Sequence, residues 1–197
     1  MRTSGFSSTG DGHRMSSRTG RCSYVLENRK VLILTYSWQA WLEDIITPTR
    51  QQELSDAGCN FLDHDMVFIP FLFDNHWILV VTNFVKAELQ VLDSNPRYGY
   101  KRVLSKLLRD RKGRVPLDIT KWKIHIIKRL PRQTDGTSCG IFMLKYMQLW
   151  NGTRLLEKFS KDDIASIREE IAVELVFSEL NTVHKVQAEI MEWKVVN

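Results

Sequence analysis

The segment Met66–Asp93 reads MVFIPFLFDNHWILVVTNFVKAELQVLD, and it decides the fold of this 197-residue chain. It divides into three runs, Met66–Phe73, His76–Asn83 and Glu88–Asp93, in which β-branched and aromatic residues dominate. Residues of these types favour strands, and the short connections between the runs favour antiparallel pairing. The segment therefore predicts the centre of a β-sheet.

Other elements are predicted on both sides of this segment. Upstream, Val31–Tyr36 fits either a buried strand or the first turns of a helix, Trp38–Ile46 predicts a short helix, and Gln51–Asp65 is predicted to be irregular. Downstream we predict a basic amphipathic helix over Tyr100–Asp110 and a strand over Trp122–Leu130. A central helix, apolar on almost all sides, is predicted over Cys139–Trp150, and a final amphipathic helix over Asp162–Leu180. This order predicts an α+β fold with a mostly antiparallel central sheet packed by helices.

Composition excludes several classes of protein. The apolar runs are too short to span a bilayer, so we expect no membrane-embedded segment. The three cysteines are odd in number and irregularly spaced, which favours a reducing intracellular compartment over a disulfide framework. No Cys/His cluster has the spacing of a zinc site, so we expect no metal site.

Charge and composition are uneven along the chain. Residues 1–23 are rich in Ser, Thr, Gly and Arg, which predicts disorder, with a transit peptide as the alternative. We therefore predict a disordered or non-family tail over 1–28 and a folded domain over 29–197. Arg97–Arg132 contains thirteen Lys and Arg residues, which indicates either a docking surface for an acidic partner or a solvated helix face. Because no nucleic-acid motif accompanies them, we do not expect a nucleic-acid partner.

Cys139 is the candidate nucleophile. It follows the polar loop Gln133–Ser138, QTDGTS, and opens the predicted central helix, which Asp135 or Ser138 could cap. A thiol in the first turn of a helix lies at the positive end of the helix dipole, which favours the reactive thiolate. A buried structural cysteine is the alternative, but such a residue needs no polar loop before it.

A thiol nucleophile needs a base, and the chain has five histidines. His13 lies in the predicted tail, His184 follows the last predicted helix, and His125 is predicted to face outward on a strand. His64 is a plausible loop residue with no clear partner. His76, which opens a strongly apolar strand, is therefore the candidate base.

Asp93 is the predicted partner of His76. A hairpin that turns near Phe84–Val85 pairs the two residues directly, with Cβ atoms about 5 Å apart. The carboxylate could then accept the Nδ1 proton and orient the imidazole. A register slip of one residue remains open, and the loop residue Asp74 is the rival acid. Gln133 could donate to an oxyanion together with the Cys139 backbone N–H, although a Gln in a loop is commonly just solvated.

These motifs together resemble the ubiquitin-like-protein-specific proteases, which are the SUMO proteases of the papain-like cysteine peptidase group. The resemblance covers about residues 60–182. The general character of the sequence is similar to that of plant members of the family, many of which are carried by mobile elements. The motifs that carry it are His76-Trp77, Asp93-Ser94, and Gln133-x5-Cys139-Gly140 within the segment Gln133–Tyr146.

The resemblance implies a papain-like fold with the nucleophile at the N-terminus of the central helix, and it makes 29–197 the catalytic domain. It also implies hydrolysis after the C-terminal Gly-Gly of SUMO or a related modifier, without a cofactor, by catalytic His76, Asp93 and Cys139 with Gln133 at the oxyanion. Trp77 is implied to roof a narrow tunnel that only glycines can pass. The implied partner is SUMO or another ubiquitin-like modifier with its conjugates, and the enzyme would be a monomer in the nucleus or cytoplasm.

The N-terminal part departs from the family pattern. Trp41-Leu42-Glu43-Asp44 resembles the family's entry motif and makes Trp41 a candidate for substrate binding, but it lies closer to His76 than the pattern allows. We therefore expect a truncated or rearranged N-terminal part. A non-catalytic, modifier-binding relic is the alternative function, and acetyl or another acyl transfer by the same triad is a third.

Overall fold

The computed structural model of the chain describes residues 21–26, 28–34, 63–96, 119–178 and 181–196. The predicted helices Trp38–Ile46 and Tyr100–Asp110 lie outside these ranges, as do most of Gln51–Asp65 and the candidate Trp41. These expectations stay predictions.

One sheet of six strands forms the centre of the described structure. The strands lie side by side in the order of the chain, and the pairing is antiparallel except between the second and third strands and between the fifth and sixth. The predicted mostly antiparallel sheet is therefore confirmed. The strands are β1 (Arg21–Leu26), β2 (Arg29–Leu34), β3 (Met66–Phe73), β4 (His76–Asn83), β5 (Glu88–Leu92) and β6 (Lys123–Ile126).

The β3–β4 hairpin has the bounds that the sequence predicts. Its two turn residues, Asp74 and Asn75, have φ angles of 49° and 58°. Positive φ at both central positions is characteristic of the turn that matches the twist of antiparallel strands, and Asp and Asn tolerate this conformation better than bulky residues. The turn places His76 opposite Phe73, at the first position of β4.

The register of the β4–β5 hairpin differs from the predicted one by two residues. Val80, rather than Ile78, pairs with Val91, because four residues, Phe84–Ala87, connect the strands and Asn83 pairs with Glu88. Side chains alternate between the two faces of a strand, so a shift of two residues leaves each side chain on its predicted face.

The described ranges contain three helices, α1 (Cys139–Leu149), α2 (Ile164–Phe177) and α3 (His184–Val196). None of them is long and apolar enough to cross a membrane. α1 begins where predicted and packs across β4. Its buried side chains join those of β3, β4 and β5 in one core cluster, which includes Phe68, Leu79, Val81, Leu92, Phe142, Tyr146 and Met147. The predicted central helix is thus confirmed as the middle of the core.

The helix predicted over Asp162–Leu180 corresponds to α2 and to the 3-10 turn before it. Ser160 and Asp163 form a reciprocal capping box: Asp162 N donates to Ser160 Oγ (3.2 Å) and Ser160 N donates to Asp163 Oδ2 (2.7 Å). A 3-10 turn at Lys161–Asp163 then leads into α2.

Three predictions of secondary structure need correction. Arg21–Leu26 forms β1 and pairs with β2, so the disorder predicted for 1–23 is wrong from Arg21 onward, and a disordered tail is excluded over the whole of β1. Leu26 also packs against the core cluster, which offsets the entropy lost on ordering. The predicted strand Trp122–Leu130 is shortened to β6. The prediction that His184 follows the last helix is wrong, because α3 begins there. For Val31–Tyr36, the strand alternative is correct over the part that lies in β2.

A buried polar network fixes the C-terminal end of α1. Trp150, which caps the helix, donates from Nε1 to Gln90 Oε1 (2.8 Å), and Gln90 Nε2 donates to the carbonyl oxygen of Gly152 (2.9 Å). The same carbonyl oxygen accepts from Lys86 Nζ (2.8 Å) and Asn83 Nδ2 (3.4 Å). These bonds pair the buried polar groups of this network, and they join the helix end to β4, β5 and the turn between them.

Substitution of Gly152 by Ala should destabilise the fold by about 2–4 kcal/mol, since strain and overpacking add at this position. Gly152 has a φ of 88°, and an added Cβ would lie 2.8 Å from Met66 Sδ and 2.9 Å from Asn83 Nδ2. Urea unfolding followed by circular dichroism measures the change.

Gly136→Ala is the matched control, because a Cβ there would meet no atom within 4 Å. It should change the free energy of unfolding by less than about 0.5 kcal/mol. Equal unfolding midpoints for the wild type and Gly152→Ala would contradict the packing described at this glycine.

Candidate active site

The fold brings three of the predicted catalytic residues to ends of core elements. His76 is the first residue of β4, Asp93 follows the last residue of β5, and Cys139 is the first residue of α1. All three are buried, with relative exposures of 3%, 3% and 6%. Gln133 lies in the loop that leads to α1 and is half-buried.

His76 and Asp93 form a buried, hydrogen-bonded pair. The distance between His76 Nε2 and Asp93 Oδ1 is 2.6 Å, and Oδ1 also accepts from the backbone N–H of Asn95 (2.8 Å). The carboxylate is therefore held by the chain that follows β5 while it contacts the imidazole. Such a carboxylate orients the ring and selects its tautomer.

The atoms of this pair correct one detail of the sequence prediction. Nε2, not Nδ1, contacts Asp93. The two-residue shift of the β4–β5 register explains the difference, because Asp93 lies diagonal to His76 rather than opposite it. Diagonal positions are separated by about 7–8 Å, a gap that the outer ring nitrogen spans more readily than the inner one.

Cys139 and Trp77 line the same surface cavity. The cavity has a volume of about 490 Å³, and Gly140, Met143, Leu144 and Arg168 contribute to its walls. Trp77 is 37% exposed, and its Cδ1 atom would lie 3.7 Å from a Cβ added to Gly140. The indole that follows His76 thus lies beside the residue that follows Cys139, which brings the start of β4 next to the start of α1.

Gln133 connects its loop to the end of β5. Its backbone N–H donates to the carbonyl oxygen of Ser94 (3.1 Å), and its Oε1 accepts from Ser94 Oγ (2.6 Å). Its Nε2 donates to the carbonyl oxygen of Asp135 (2.7 Å). A primary amide nitrogen carries two protons, so this bond does not exhaust the donor capacity of the side chain.

Asp135 organises the turn before Cys139. Its carboxylate accepts from the backbone N–H groups of Thr137 (2.9 Å) and Ser138 (2.8 Å) and from Ser138 Oγ (2.6 Å). Arg168 of α2 donates to the same Ser138 hydroxyl (2.9 Å). Ser138 occupies the N-cap position of α1, as expected, but its side chain makes no capping bond because it is engaged by Asp135 and Arg168.

These contacts lower the pKa of Asp135. The hydrogen bond from Ser138 Oγ contributes most, followed by the backbone N–H groups of Thr137 and Ser138; slight burial opposes them, and the positive charge of Arg168 adds to the lowering. The hydrogen bonds favour the carboxylate because it only accepts. Asp135 is therefore an anion that fixes the turn.

Tyr146 fastens the middle of α1 to the same loop. Its hydroxyl donates to the carbonyl oxygen of Pro131, two residues before Gln133. Burial raises the pKa of Tyr146 far above its usual range, and the nearby charge of Asp93 acts in the same direction. The phenol therefore stays protonated and keeps its role as donor.

The sequence did not indicate two residues that shape this site. Ser94 belongs to the Asp93-Ser94 motif, but nothing in the motif indicates that its hydroxyl connects Gln133 to the end of β5. The sequence around Arg168 does not indicate its contact with Ser138, because the two residues are 30 positions apart.

Two of the remaining histidine candidates have described places in other elements of the fold. His125 Nε2 lies 3.2 Å from Glu88 Oε2, a contact between β6 and β5. His184 opens α3, and His13 lies outside the described residues. Within the described ranges no group of three or more His, Cys, Asp or Glu side chains could hold a metal ion.

A family model described as the Ulp1 protease family, C-terminal catalytic domain, matches residues 35–179. The chain belongs to this family. The match falls within the predicted catalytic domain, 29–197, whose boundaries stay predictions. Family membership confirms the resemblance drawn from the histidine, aspartate and cysteine motifs.

Individual relatives agree with this assignment. Ubiquitin-like-specific protease 1A of Arabidopsis thaliana is 31% identical over 134 residues, which cover 64% of this chain and 26% of that protein. Sentrin-specific protease 2 of Homo sapiens is 26% identical over 130 residues, which cover 62% of this chain and 22% of that protein. The matched part of the chain thus spans about a quarter of the length of these relatives.

Solved structures support the fold. The C-terminal Ulp1 protease domain in complex with Smt3, the yeast ortholog of SUMO, matches with a TM-score of 0.51 at 18% identity, over 73% of this chain and 66% of that one. The SUMO protease Ulp1 with its catalytic cysteine oxidised to a sulfenic acid matches with a TM-score of 0.54 at 16% identity, over 73% and 67% of the two chains. The predicted papain-like α+β fold is confirmed.

Replacement of Ser138 by Ala should raise the pKa of Asp135 toward its ordinary value of 3.8, because the largest stabilising hydrogen bond is lost. In the wild type the bonded carboxylate stabilises the fold fully above that value, and this contribution disappears as the pH falls through the lower pKa of the folded state. The ¹³C shift of the Asp135 carboxyl carbon, followed against pH, measures the change.

Thr137→Ala is the control, since Thr137 bonds Asp135 only through its backbone N–H and keeps that bond after substitution. The titration midpoint of Asp135 should stay where it is in the wild type. Identical midpoints for Ser138→Ala and the wild type would contradict the hydroxyl bond.

Proposed function

We propose that the chain is a cysteine peptidase that hydrolyses the bond after the C-terminal Gly-Gly of SUMO or a related ubiquitin-like modifier, either to mature the modifier or to remove it from conjugates. Membership of the Ulp1 protease family supports the substrate class. The observation that carries the mechanism is the buried 2.6 Å contact between His76 Nε2 and Asp93 Oδ1, beside a cavity that Cys139 lines.

In the proposed first step, the Cys139 thiol gives its proton to His76 while the sulfur attacks the carbonyl carbon of the terminal glycine. Because Asp93 contacts Nε2, we assign this proton transfer to Nδ1. The negative Asp93 then stabilises the imidazolium that forms. The tetrahedral intermediate collapses as the C–N bond breaks, and His76 returns the proton to the leaving amine.

In the second step, water attacks the carbonyl carbon of the thioester while His76 takes one of its protons. The C–S bond breaks, the sulfur regains a proton from His76, and the modifier leaves with a terminal carboxylate. The balance requires only water as a co-reactant, in keeping with the expectation that no cofactor takes part.

Gln133 is the proposed oxyanion donor, together with the backbone N–H of Cys139. Its bonds to Ser94 and Asp135 hold the side chain in a fixed orientation before substrate arrives. Donors that need not reorganise during the reaction stabilise developing charge most effectively.

Trp77 is the proposed selector for glycine. Its half-exposed ring beside Gly140 and Cys139 leaves a site where a substrate chain must pass close to the indole. A residue with a side chain would meet this ring, whereas glycine would not. Trp41 stays a predicted second contact to the substrate.

A modifier-binding relic and an acyltransferase are the alternatives. Both use the same fold, so only chemistry distinguishes them. A vinyl-sulfone probe built on a modifier tail should label an active peptidase at Cys139 and leave a relic unlabelled. Turnover of acetyl-CoA would favour the acyltransferase instead.

Cys139→Ser should abolish cleavage of a SUMO–fluorophore fusion while the thermal unfolding midpoint stays close to that of the wild type. Removal of one member of a catalytic triad lowers kcat by about 10³-fold or more. The rate of fluorophore release, measured with a panel of modifier fusions, tests both the nucleophile and the preferred modifier.

Ser166→Ala serves as a matched control, because this exposed residue of α2 lies outside the cavity lining and should leave the rate unchanged. Retained cleavage in the Cys139→Ser variant would refute the assignment of the nucleophile.

Gln133→Glu should lower kcat by about 10²-fold with a smaller effect on KM, because a carboxylate keeps the acceptor for Ser94 Oγ but repels an oxyanion. Ser94→Ala, which removes the partner of Oε1 and keeps the amide donor, should cost less. A Gln133→Glu variant with the kcat of the wild type would exclude the oxyanion role.

A further inference from the structure

A second cavity lies at the opposite end of α1 from Cys139. It has a volume of about 590 Å³ and is lined by the chain that follows β6 and by the chain that follows α1, over residues 127–131 and 150–159. The eleven residues of α1 separate the two helix ends by about 16 Å. The second cavity therefore shares no lining residue with the candidate active site.

The floor of this cavity is apolar and held in place. Trp150 is 2% exposed, and its indole is fixed by the hydrogen bond to Gln90. Leu155 forms an antiparallel bridge with Trp150, and Leu130 and Phe159 pack against the core while remaining partly exposed. A preformed apolar floor lets a ligand bind without the cost of ordering the site.

The rim is strongly basic. Lys128, Arg129, Arg154 and Lys158 line the cavity, against one acidic residue, Glu157. All four cationic residues are exposed, and within the described parts of the chain their side chains make no ion pair and no hydrogen bond.

The backbone at the rim is also unusual. Arg129 has a φ of 64°, a conformation that costs a bulky residue on the order of 1 kcal/mol. Residues held in such conformations concentrate at binding and catalytic sites. Together, the strained backbone and the four cations, which have no partner among the described residues, mark this rim as a site for an external anion.

We propose that this cavity binds a short acidic peptide segment, with one apolar side chain on the floor and carboxylates at the four cations. The floor favours a peptide over nucleic acid, because Leu130 and Leu155 suit an apolar side chain, Trp150 is covered, and the partly buried Phe159 is a single ring where successive bases would need a row of open ring faces. The proposal goes beyond the peptidase function and does not depend on it.

Fluorescence anisotropy with fluorescein-labelled hexapeptides EDLLDE, EDLIDE, EDLFDE and EDLWDE tests the proposal on the full chain. At least one should bind with a Kd below about 100 μM at 50 mM salt, and binding should weaken as salt is raised, since exposed charges are screened. Peptides that lack the charge, QNLFNQ, or the apolar anchor, EDGGDE, should bind at least tenfold more weakly.

The double substitution Arg129→Glu and Arg154→Glu should weaken binding of the best peptide at least tenfold. Lys185→Glu on α3 is the control; it removes an exposed cation outside the cavity and should leave the Kd unchanged. Circular dichroism verifies that both variants are folded, and amide shifts on titration should concentrate at Leu130 and Leu155 rather than at Trp77.

Several results would overturn the proposal: no binding by any of the four peptides, equal binding of EDGGDE, an unchanged Kd in the double variant, or tighter binding of a twelve-nucleotide oligo-dT. Because every readout is binding, the proposal can fail while the peptidase function holds, and the reverse is also true.

Discussion

The packing of α1 across β4 is the constraint on which the rest of the structure depends. Phe142, Tyr146 and Met147 bury this helix in the core cluster, and the bonds among Trp150, Gln90 and Gly152 prevent its far end from sliding. A helix held along its length presents its first residue at a fixed place. The position of the Cys139 thiol is therefore fixed by side chains that lie far from it along the helix. A rigid scaffold of this kind holds a reactive group more precisely than a loop does.

The elements around the thiol are also fastened to one another. Ser94, the residue after Asp93, bonds Gln133, so the acid and the loop before α1 cannot move independently. Tyr146 bonds Pro131 in that loop, and Arg168 bonds Ser138 from α2. The sheet, the loop before α1, and the helices α1 and α2 are thus joined by one hydrogen-bonded network, which keeps the proposed catalytic groups arranged before substrate binds.

Much of this arrangement was predictable from the sequence, because it rests on local patterns. The alternation of residue types predicts the bounds of β3 and β4, and the polar loop before an apolar run predicts the start of α1. The contact between His76 and Asp93 follows because both side chains lie on the same face of the sheet. The offset of β5 was not predictable, since it depends on how four turn residues close. Nor was the Arg168 contact, because pairs distant in sequence leave no periodic trace. β1 and α3 were not predicted, because their segments are polar or lack a regular spacing of apolar residues.

The connection Phe84–Ala87 gives the β4–β5 hairpin a property that bears on related chains. An insertion or deletion there that moved β5 by one residue against β4 would turn the carboxylate of Asp93 to the reverse side of the sheet, away from the imidazole, whereas a shift of two residues would merely alter the distance that the ring must bridge. Chains that keep this histidine–aspartate pair are thus free to vary the connection in even-numbered steps, and an odd-numbered change would require a compensating bulge.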